Sequence, residues 1–462
     1  MQPWHPKRNL YWLFFLTAVS HAQSSPAALD LKSALSLAES SNLELRAARQ
    51  QRAVALSGIR IAGQIPNPII TFAAARDLPH ESLLLDQSIE LGGKRGKRMD
   101  VAREEQKATD LDINILARQV RHRTRDAFYR ALLSRAQAAQ SKAALDLATR
   151  IRDAVKDRYE AGDVAQLEVI QTEVEVARAT ADYEVTVQGQ KSADAQLAAL
   201  LNRPLDRAPD LLGRVEDLPH VDALPAVTEM AFRSNGDLQR TAQQLAIEEQ
   251  RLRLAKSARI PNVDLQAGVD LNSPPDFNVG PRGQVAVALP LFNHGQADVA
   301  QSNARLELLR LSLMAQRTNT EVQVLAAYFD YDAKSRQAAQ YSGTIVPQTV
   351  KLEEMAEDSY RSGKSNLLIL IDAQRRLNDT RKAYLDSIFS VQSAFSALEE
   401  VVGAPLDKEL QAQGPDKFTR VRREFGEPSE TNSRCCSHSD RTDGGCERLQ
   451  QKRLCERGNT SS

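Results

Sequence analysis

The sequence predicts a mixed fold of long antiparallel helices and short membrane-type β-hairpins, built as two copies of one unit. Three observations predict it. Residues 158–205 and 359–406 align without a gap at an offset of 201, pairing Tyr159 with Tyr360, Gly162 with Gly363, Tyr183 with Tyr384 and Pro204 with Pro405. A repeat of that size is a duplicated domain-scale unit, not a solenoid period of about 20–50 residues. Between Gly96 and Gly162 there is no glycine, and between Pro79 and Pro204 no proline. A helix can therefore run unbroken for a length that globular domains do not use. In each copy a proline ends the preceding helix, and two alternating apolar stretches follow.

The elements follow in chain order. Lys7 and Arg8 precede an apolar run from Leu10 to Val19, and Ser20-His21-Ala22 supplies small residues at cleavage spacing. Residues 1–22 therefore read as an export signal, with Gln23 opening the mature chain. The run is too short for a membrane span of about 20 residues, and no cysteine near the cleavage point offers a lipid anchor. The first repeat is expected over 23–213. Residues 30–64 are helical in pattern, with Ser41 or Asn42 capping a break. Pro66-Asn67-Pro68 stops the helix. Ile69 to Ala75 and Ser82 to Leu91 read as the two arms of a hairpin around Asp77-Leu78-Pro79-His80, each about ten residues long, the length of a tilted transmembrane strand. Gly92-Gly93 ends it. From Lys97 to Gly162 a helix of about 64 residues would span about 96 Å. Gln166 to about Leu201 then returns.

The second repeat, expected over 214–410, follows the same plan. Residues 224–259 read as helix and Pro261-Asn262 as the stop. Val263 to Leu271 is a strand, Asn272 to Gly283 a Pro/Gly-rich loop, and Gln284 to Leu291 a strand with Val285, Val287 and Leu289 on one face. A long helix from about Gln296 is expected to kink at Pro347. It turns at Gly363 and returns to about Val402. Tyr384, Ile388, Val391, Phe395, Leu398 and Val402 form a heptad seam on the return helix.

Composition narrows the function. Only 5% of residues are aromatic, and the formal net charge is zero. Nothing points to a nucleic-acid partner. A mean hydropathy of −0.43 excludes a bundle of membrane-spanning helices. All four cysteines (Cys435, Cys436, Cys446 and Cys455) fall in 411–462, a polar stretch read as a disordered tail. A zinc site of Cys435, Cys436, His438, Cys446 and Cys455 is the alternative there, although its spacing matches no standard pair of ligand pairs. The body has no nucleotide-binding loop, nucleophile elbow or metal-ligand spacing, so no enzyme, cofactor or resident metal is expected. Four amphipathic strands cannot close a barrel, whose smallest form has about eight, and open edges are not tolerated in lipid. Either several chains pool their hairpins in a membrane, or a small sheet sits beside a soluble periplasmic coiled-coil scaffold.

Several motifs together resemble the TolC-type outer-membrane efflux channels over residues 28 to about 408. Ser41-Asn42-Leu43-Glu44-Leu45-Arg46 and Ser234-Asn235-Gly236-Asp237-Leu238 are similar to the family's helix start. Pro66-Asn67-Pro68 and Ile260-Pro261-Asn262 resemble its helix-to-strand junction. Arg158-Tyr159-Glu160-Ala161-Gly162 and Tyr360-Arg361-Ser362-Gly363 resemble its helix tip. Leu289-Pro290-Leu291-Phe292-Asn293 resembles the end of its fourth strand. Glu90-Leu91-Gly92-Gly93-Lys94-Arg95 looks like the heavy-metal and cation efflux branch, and no His or Met cluster here would bind soft metals itself. For Lys94, Arg95, Lys97 and Arg98 the residue-level expectation is a solvated helix start.

The resemblance implies a homotrimer with a twelve-stranded barrel in outer-membrane lipid, continued by a helical tunnel through the periplasm. It implies a periplasmic adaptor docked at the tips, linked to a proton-driven inner-membrane pump. A type I protein-secretion conduit is the alternative within the same architecture. At the narrow periplasmic end it implies a ring of acids. Asp372 matches one such position, while its partner position three residues earlier is Ile369, so a double ring is not expected. Glu168 and Gln171 occupy the corresponding sites in the first repeat. Three carboxylates on a threefold axis would attract cations; the alternative for Asp372 and Glu168 is an exposed helix charge. Gly162 and Gly363 are expected to take positive φ at the turns. Tyr159 and Tyr360 beside them are expected to pack between helices or meet the adaptor.

Overall fold

The computed structural model describes residues 28–205, 210–273, 275 and 277–406. The export signal and the cysteine-bearing tail lie outside the described residues. Two helices open the first repeat, α1 (Leu31–Ser41) and α2 (Leu43–Ala62). Asn42 makes the break between them. Its Oδ1 accepts the Leu45 N–H (3.1 Å), capping α2. Its Nδ2 donates to the Leu200 carbonyl (3.1 Å) at the far end of the repeat. The second repeat opens with α5 (Leu224–Ser234) and α6 (Gly236–Ser257). The helical stretch expected over 224–259 is thus two helices, parted at the Ser234-Asn235 helix-start motif. Asn235 is the reason: its Oδ1 accepts the Leu238 N–H (2.9 Å) and its Nδ2 donates to the Val401 carbonyl (2.7 Å). Both asparagines are buried, and Leu200 and Val401 are equivalent positions of the two repeats. One residue type does the same two jobs twice.

The strands are β1 (Ile69–Ala74), β2 (Glu81–Ile89), β3 (Val263–Ser273) and β4 (Phe277–Val287), in one antiparallel sheet of order β1-β2-β3-β4. The first hairpin is shorter than expected, with arms of 6 and 9 residues, and the second longer, with arms of 11. Most of Asn272–Gly283, expected as a loop, is strand. Proline is tolerated on an edge strand, where it need not donate to a ladder; Pro281 lies on β4, the edge, opposite Val269. β4 ends at Val287, four residues before the expected Leu291, and Pro290 follows. The register sorts the faces. Ile70, Leu85, Ala267 and Gly283 form one cross-strand row, and Phe72, Leu83, Val269 and Pro281 the next. On the opposite face stand Asp86, Gln266 and Gln284, with Ser88 and Asp264 beyond them. There Gln266 Nε2 donates to Asp86 Oδ2 (2.6 Å) and Arg282 pairs with Asp270 (3.6 Å). One face is largely apolar and the other largely polar, the main exceptions being Ile69 and Leu84 on the polar side and Glu81 and Gln87 near the ends of the apolar side. Among the described residues no helix is long and apolar enough to cross a membrane.

The long helices are α3 (Lys94–Glu160, 67 residues), α4 (Gln166–Leu200), α7 (Gln296–Gln340), α8 (Val346–Arg361) and α9 (Leu367–Val402). At 1.5 Å per residue α3 is about 100 Å long. It starts three residues before the expected Lys97, released by Gly93 at φ 69°. A π-helical turn, Tyr341–Ile345, joins α7 to α8. Pro347 has no N–H for the carbonyl four residues back, and its ring crowds that carbonyl. The chain accommodates it by widening, with Val346 N–H donating to Tyr341 O.

The basic residues at the start of α3 are not merely solvated. Arg95 Nε donates to the Gly63 carbonyl (2.6 Å), Arg98 Nε to the Ala62 carbonyl (3.3 Å) and Lys97 Nζ to the Gly92 carbonyl (3.0 Å). Lys94 Nζ reaches Asn262 Oδ1 in the other repeat (2.5 Å). Arg95 and Arg98 thus satisfy free carbonyls at the C-terminus of α2, where positive charge is favoured. Arg98 also holds Glu90 through both terminal guanidinium nitrogens, which keeps the Glu90 carboxyl below the usual carboxylate range.

The cores lie where the repeats' helices meet. Phe128, Leu45, Leu197 and Ile388 anchor one cluster and Val227, Val324, Phe395 and Leu398 another. Five of the six seam residues of α9 are buried, Tyr384 being partly exposed. Between α3 and α9 runs a polar seam: Arg125 with Glu399 (3.0 Å), His122 Nε2 with Glu400 (3.2 Å) and Ser393 Oγ donating to Asp126 (3.4 Å). Burial raises the Asp126 pKa, against the opposing pull of His122 and the serine bonds. A carboxyl whose folded pKa is raised favours folding below its unfolded value and loses that contribution as pH rises through the folded value. Asp126→Asn is therefore expected to raise the thermal midpoint at neutral pH and to give no gain below the carboxylate range. A lowered midpoint at neutral pH would count against burial as the dominant cause.

Candidate functional site: helix tips and sheet

Both tips end in the same backbone motif. At the end of α3 the Asp163 N–H donates to Arg158 O (2.9 Å) and the Gly162 N–H to Tyr159 O (2.9 Å). At the end of α8 the Lys364 N–H donates to Ser359 O (2.9 Å) and the Gly363 N–H to Tyr360 O (3.0 Å). This is the Schellman closure, which needs a left-handed residue after the helix. Gly162 has φ 85° and Gly363 φ 70°. A Cβ at either would meet nothing within 4 Å, so the dihedral alone calls for glycine. The return helices differ at their starts. Asn366 caps α9 by accepting the Ile369 N–H (3.1 Å), whereas the equivalent Ala165 of α4 has no side chain to do so.

The tyrosines divide. Tyr360 packs between the two tips against the apolar cluster of Val155, Leu367, Leu370 and Ile371. Its hydroxyl accepts from Arg158 (3.1 Å) and donates to Glu168 (3.4 Å), and the Arg158 guanidinium lies 5.5 Å from its ring centre. Burial and the Glu168 charge raise the Tyr360 pKa, so the phenol stays protonated and able to donate. Tyr159 instead stands exposed at the surface. Asp372 is exposed and pairs with Arg376 one turn along (2.8 Å). Gln171 is half-buried. Among the described residues no hydrogen bond or ion pair joins Asp372 to Glu168 or Gln171. The link between the repeats that sequence reasoning missed is Arg375, whose Nε donates to Glu175 Oε2 (3.0 Å) while a second nitrogen contacts Oε1. The readable signal was charge at equivalent depth. The start of α4 carries Glu168, Glu173 and Glu175, and that of α9 Arg375, Arg376 and Arg381.

Above this link a cleft of about 330 Å³ opens between α3, α4 and α9, with Glu175, Arg178, Asp182, Arg375, Asp379 and Lys382 on its wall. At the other end the sheet has two unpaired edges, β1 and β4. Its apolar face leaves Ile70, Phe72, Leu83, Leu85 and Val285 exposed. Among the described residues no group of three or more His, Cys, Asp or Glu is placed to hold a metal ion.

The model of the outer membrane efflux protein family matches residues 34–203 and 227–404, covering both repeats. The chain belongs to the outer membrane efflux protein family. The cobalt-zinc-cadmium resistance protein CzcC of Cupriavidus metallidurans is 23% identical over 378 residues, 81% of this chain and 90% of that protein. A membrane protein of Pseudomonas aeruginosa has the same fold, with a TM-score of 0.69 at 18% identity over 82% of this chain and 91% of that one. So does the transmembrane channel CusC, with a TM-score of 0.68 at 16% identity over 84% and 96%. As an outer membrane efflux protein, the chain is a channel protein of the outer membrane. Its sheet is the barrel part and its long helices the periplasmic part.

Proposed function

We propose that three copies of this chain pool their sheets into one twelve-stranded barrel and their helices into a tunnel. That assembly forms the exit duct of a tripartite efflux system. The observation that carries this reading is the sheet itself: four strands, apolar on one face, polar on the other and open at both edges. In lipid every strand edge must be paired, and pairing β4 of one copy with β1 of the next removes all six edges at once. Each unit, 23–213 and 214–410, then supplies one hairpin and one helix pair. The polar face, with Asp86, Asp264 and Asp270, lines the lumen.

At the far end the tips would meet a periplasmic adaptor that couples the duct to a proton-driven inner-membrane pump. Gly162, Gly363, Tyr159 and Tyr360 sit at the contact, and the charged cleft beside Glu175 supplies a groove for it. Asp372, Glu168 and Gln171 form the periplasmic constriction. Arg376 offsets part of each Asp372 charge. Glu168, whose carboxylate among the described residues meets only the neutral Tyr360 hydroxyl, adds a further negative charge per chain, so the ring remains net acidic and favours cations. Small solutes or metal cations are the cargo, in keeping with the resistance function named for CzcC.

The test is membrane fractionation of the natural chain, followed by its mass in mild detergent. The expected result is outer-membrane material with the mass of three chains. A monomer or dimer in the soluble periplasmic fraction would overturn the assembly.

A further inference from the structure

The connectors from sheet to helix differ between the repeats. Residues 90–93 lead from β2 to α3, whereas residues 288–295 lead from β4 to α7, four residues more. Both end on a left-handed glycine, Gly93 and Gly295. The longer connector carries Leu289, Leu291 and Phe292, exposed by 68%, 74% and 92%. Little among the described residues covers them, yet their backbone is held. The Leu291 N–H donates to Leu289 O (2.9 Å), the Gly295 N–H to Asn293 Oδ1 (3.1 Å) and the His294 N–H to Gln296 Oε1 (2.9 Å). Gln296 Nε2 returns to Phe292 O (3.2 Å). A segment that bonds three of its own N–H groups internally while projecting three large apolar side chains is suited to the boundary of an apolar medium.

What covers it follows from its position. Val285, Val287, Leu289 and Leu291 recur at every second residue, so the apolar face of β4 runs on into the connector. That face meets lipid, and the connector lies at its helix end, where hydrocarbon gives way to the periplasmic headgroups. Large apolar and aromatic side chains are favoured at that depth.

We propose that Leu289, Leu291 and Phe292 are an interfacial membrane anchor, inserted into the periplasmic leaflet of the outer membrane among phospholipid acyl chains. This rests on the lipid-facing reading of the sheet. The anchor fixes the height of the barrel in the bilayer from outside the barrel wall, and it is present in one repeat only.

The chain's two tryptophans, Trp4 and Trp12, lie in the expected export signal, so Phe292→Trp gives a mature protein with one fluorophore. Phe72→Trp places the probe on the apolar face of β1, and Leu291→Trp is a second connector probe. Each purified variant is reconstituted into phosphatidylcholine vesicles carrying bromine at a shallow or a deep acyl position. The expected result is that the two connector probes, Phe292→Trp and Leu291→Trp, lose most of their emission to shallow bromines and less to deep ones, while the Phe72→Trp probe is quenched by both. Quenching of the strand probe without quenching at either connector position would overturn the anchor and mean that a second copy of the chain covers the connector. Absence of quenching in the Phe72→Trp variant as well would overturn the lipid-facing sheet itself.

Discussion

Replacing Arg125 by methionine is expected to destabilise the protein by about 3–5 kcal/mol, the cost of leaving one member of a buried ion pair alone. Arg125 is 2% exposed and its partner Glu399 is also secluded. The guanidinium donates to Glu399 Oε2 at 3.0 Å and lies 4.4 Å from the Phe395 ring centre. Methionine keeps much of the volume, so the loss is electrostatic: a carboxylate held in the α3–α9 seam without its cation. The Glu399 carboxylate cannot leave freely, because its Oε1 also accepts the Leu406 N–H (2.9 Å). Glutamine at 399 can keep that bond without the charge, so Arg125→Met/Glu399→Gln is expected to recover most of the loss. The measurement is the loss of helical circular dichroism with temperature and with denaturant in detergent. A single variant within about 1 kcal/mol of the parent, or a double variant no better than the single, would show that the seam is held by packing alone.

Arg375→Ser is expected to change conduction far more than stability. The pair is partly exposed, so its loss should cost no more than about 1 kcal/mol per chain. With Tyr360, however, it ties the first repeat to the second beside the proposed constriction. A difference of about 1 kcal/mol is roughly a fivefold shift in an equilibrium. If the three chains loosen together, the shift compounds to roughly a hundredfold in the population of widened tips. In planar bilayers the variant should conduct several times more current than the parent, and Arg375→Ser/Tyr360→Phe more still. The apolar cluster around Val155 and Leu370 is untouched, so the tips still fold. Unchanged conductance in the double variant would refute this tie between the repeats and move the constriction elsewhere.

The helices were legible because glycine and proline punctuate them. Gly162, Gly363 and the stops at Pro66 and Pro261 each act through backbone dihedrals, which any reading of the chain can use. The α9 seam was legible because burial repeats every three or four residues. What escaped notice depends on partners distant in the chain. Asn235 was legible as a helix start from the motif it shares with Asn42, but not that its amide is held by the Val401 carbonyl, 166 residues away. The cations at the start of α3 looked solvated because most of their acceptors are backbone carbonyls, which leave no trace in side-chain pattern. The start of β4 reads as a loop because Gly280, Pro281 and Gly283 are disfavoured in a central strand but not at an edge. At the tips the glycines and Tyr360 were found from the repeat, but the Arg375–Glu175 link was not, since its members do not occupy aligned positions.

The π-helical turn at Tyr341–Ile345 has a consequence in phase. Each residue of an α-helix advances the azimuth by about 100°. A wider turn absorbs roughly one residue without the advance that residue would otherwise bring. The faces of α7 and α8 are therefore out of step by about that angle, and no single heptad register describes Gln296 to Arg361. α3, of nearly the same length, has no such slip. The two arms that carry the tips thus reach equally far but with different clocking, so the duplicated unit presents two unlike tip faces from one inherited plan.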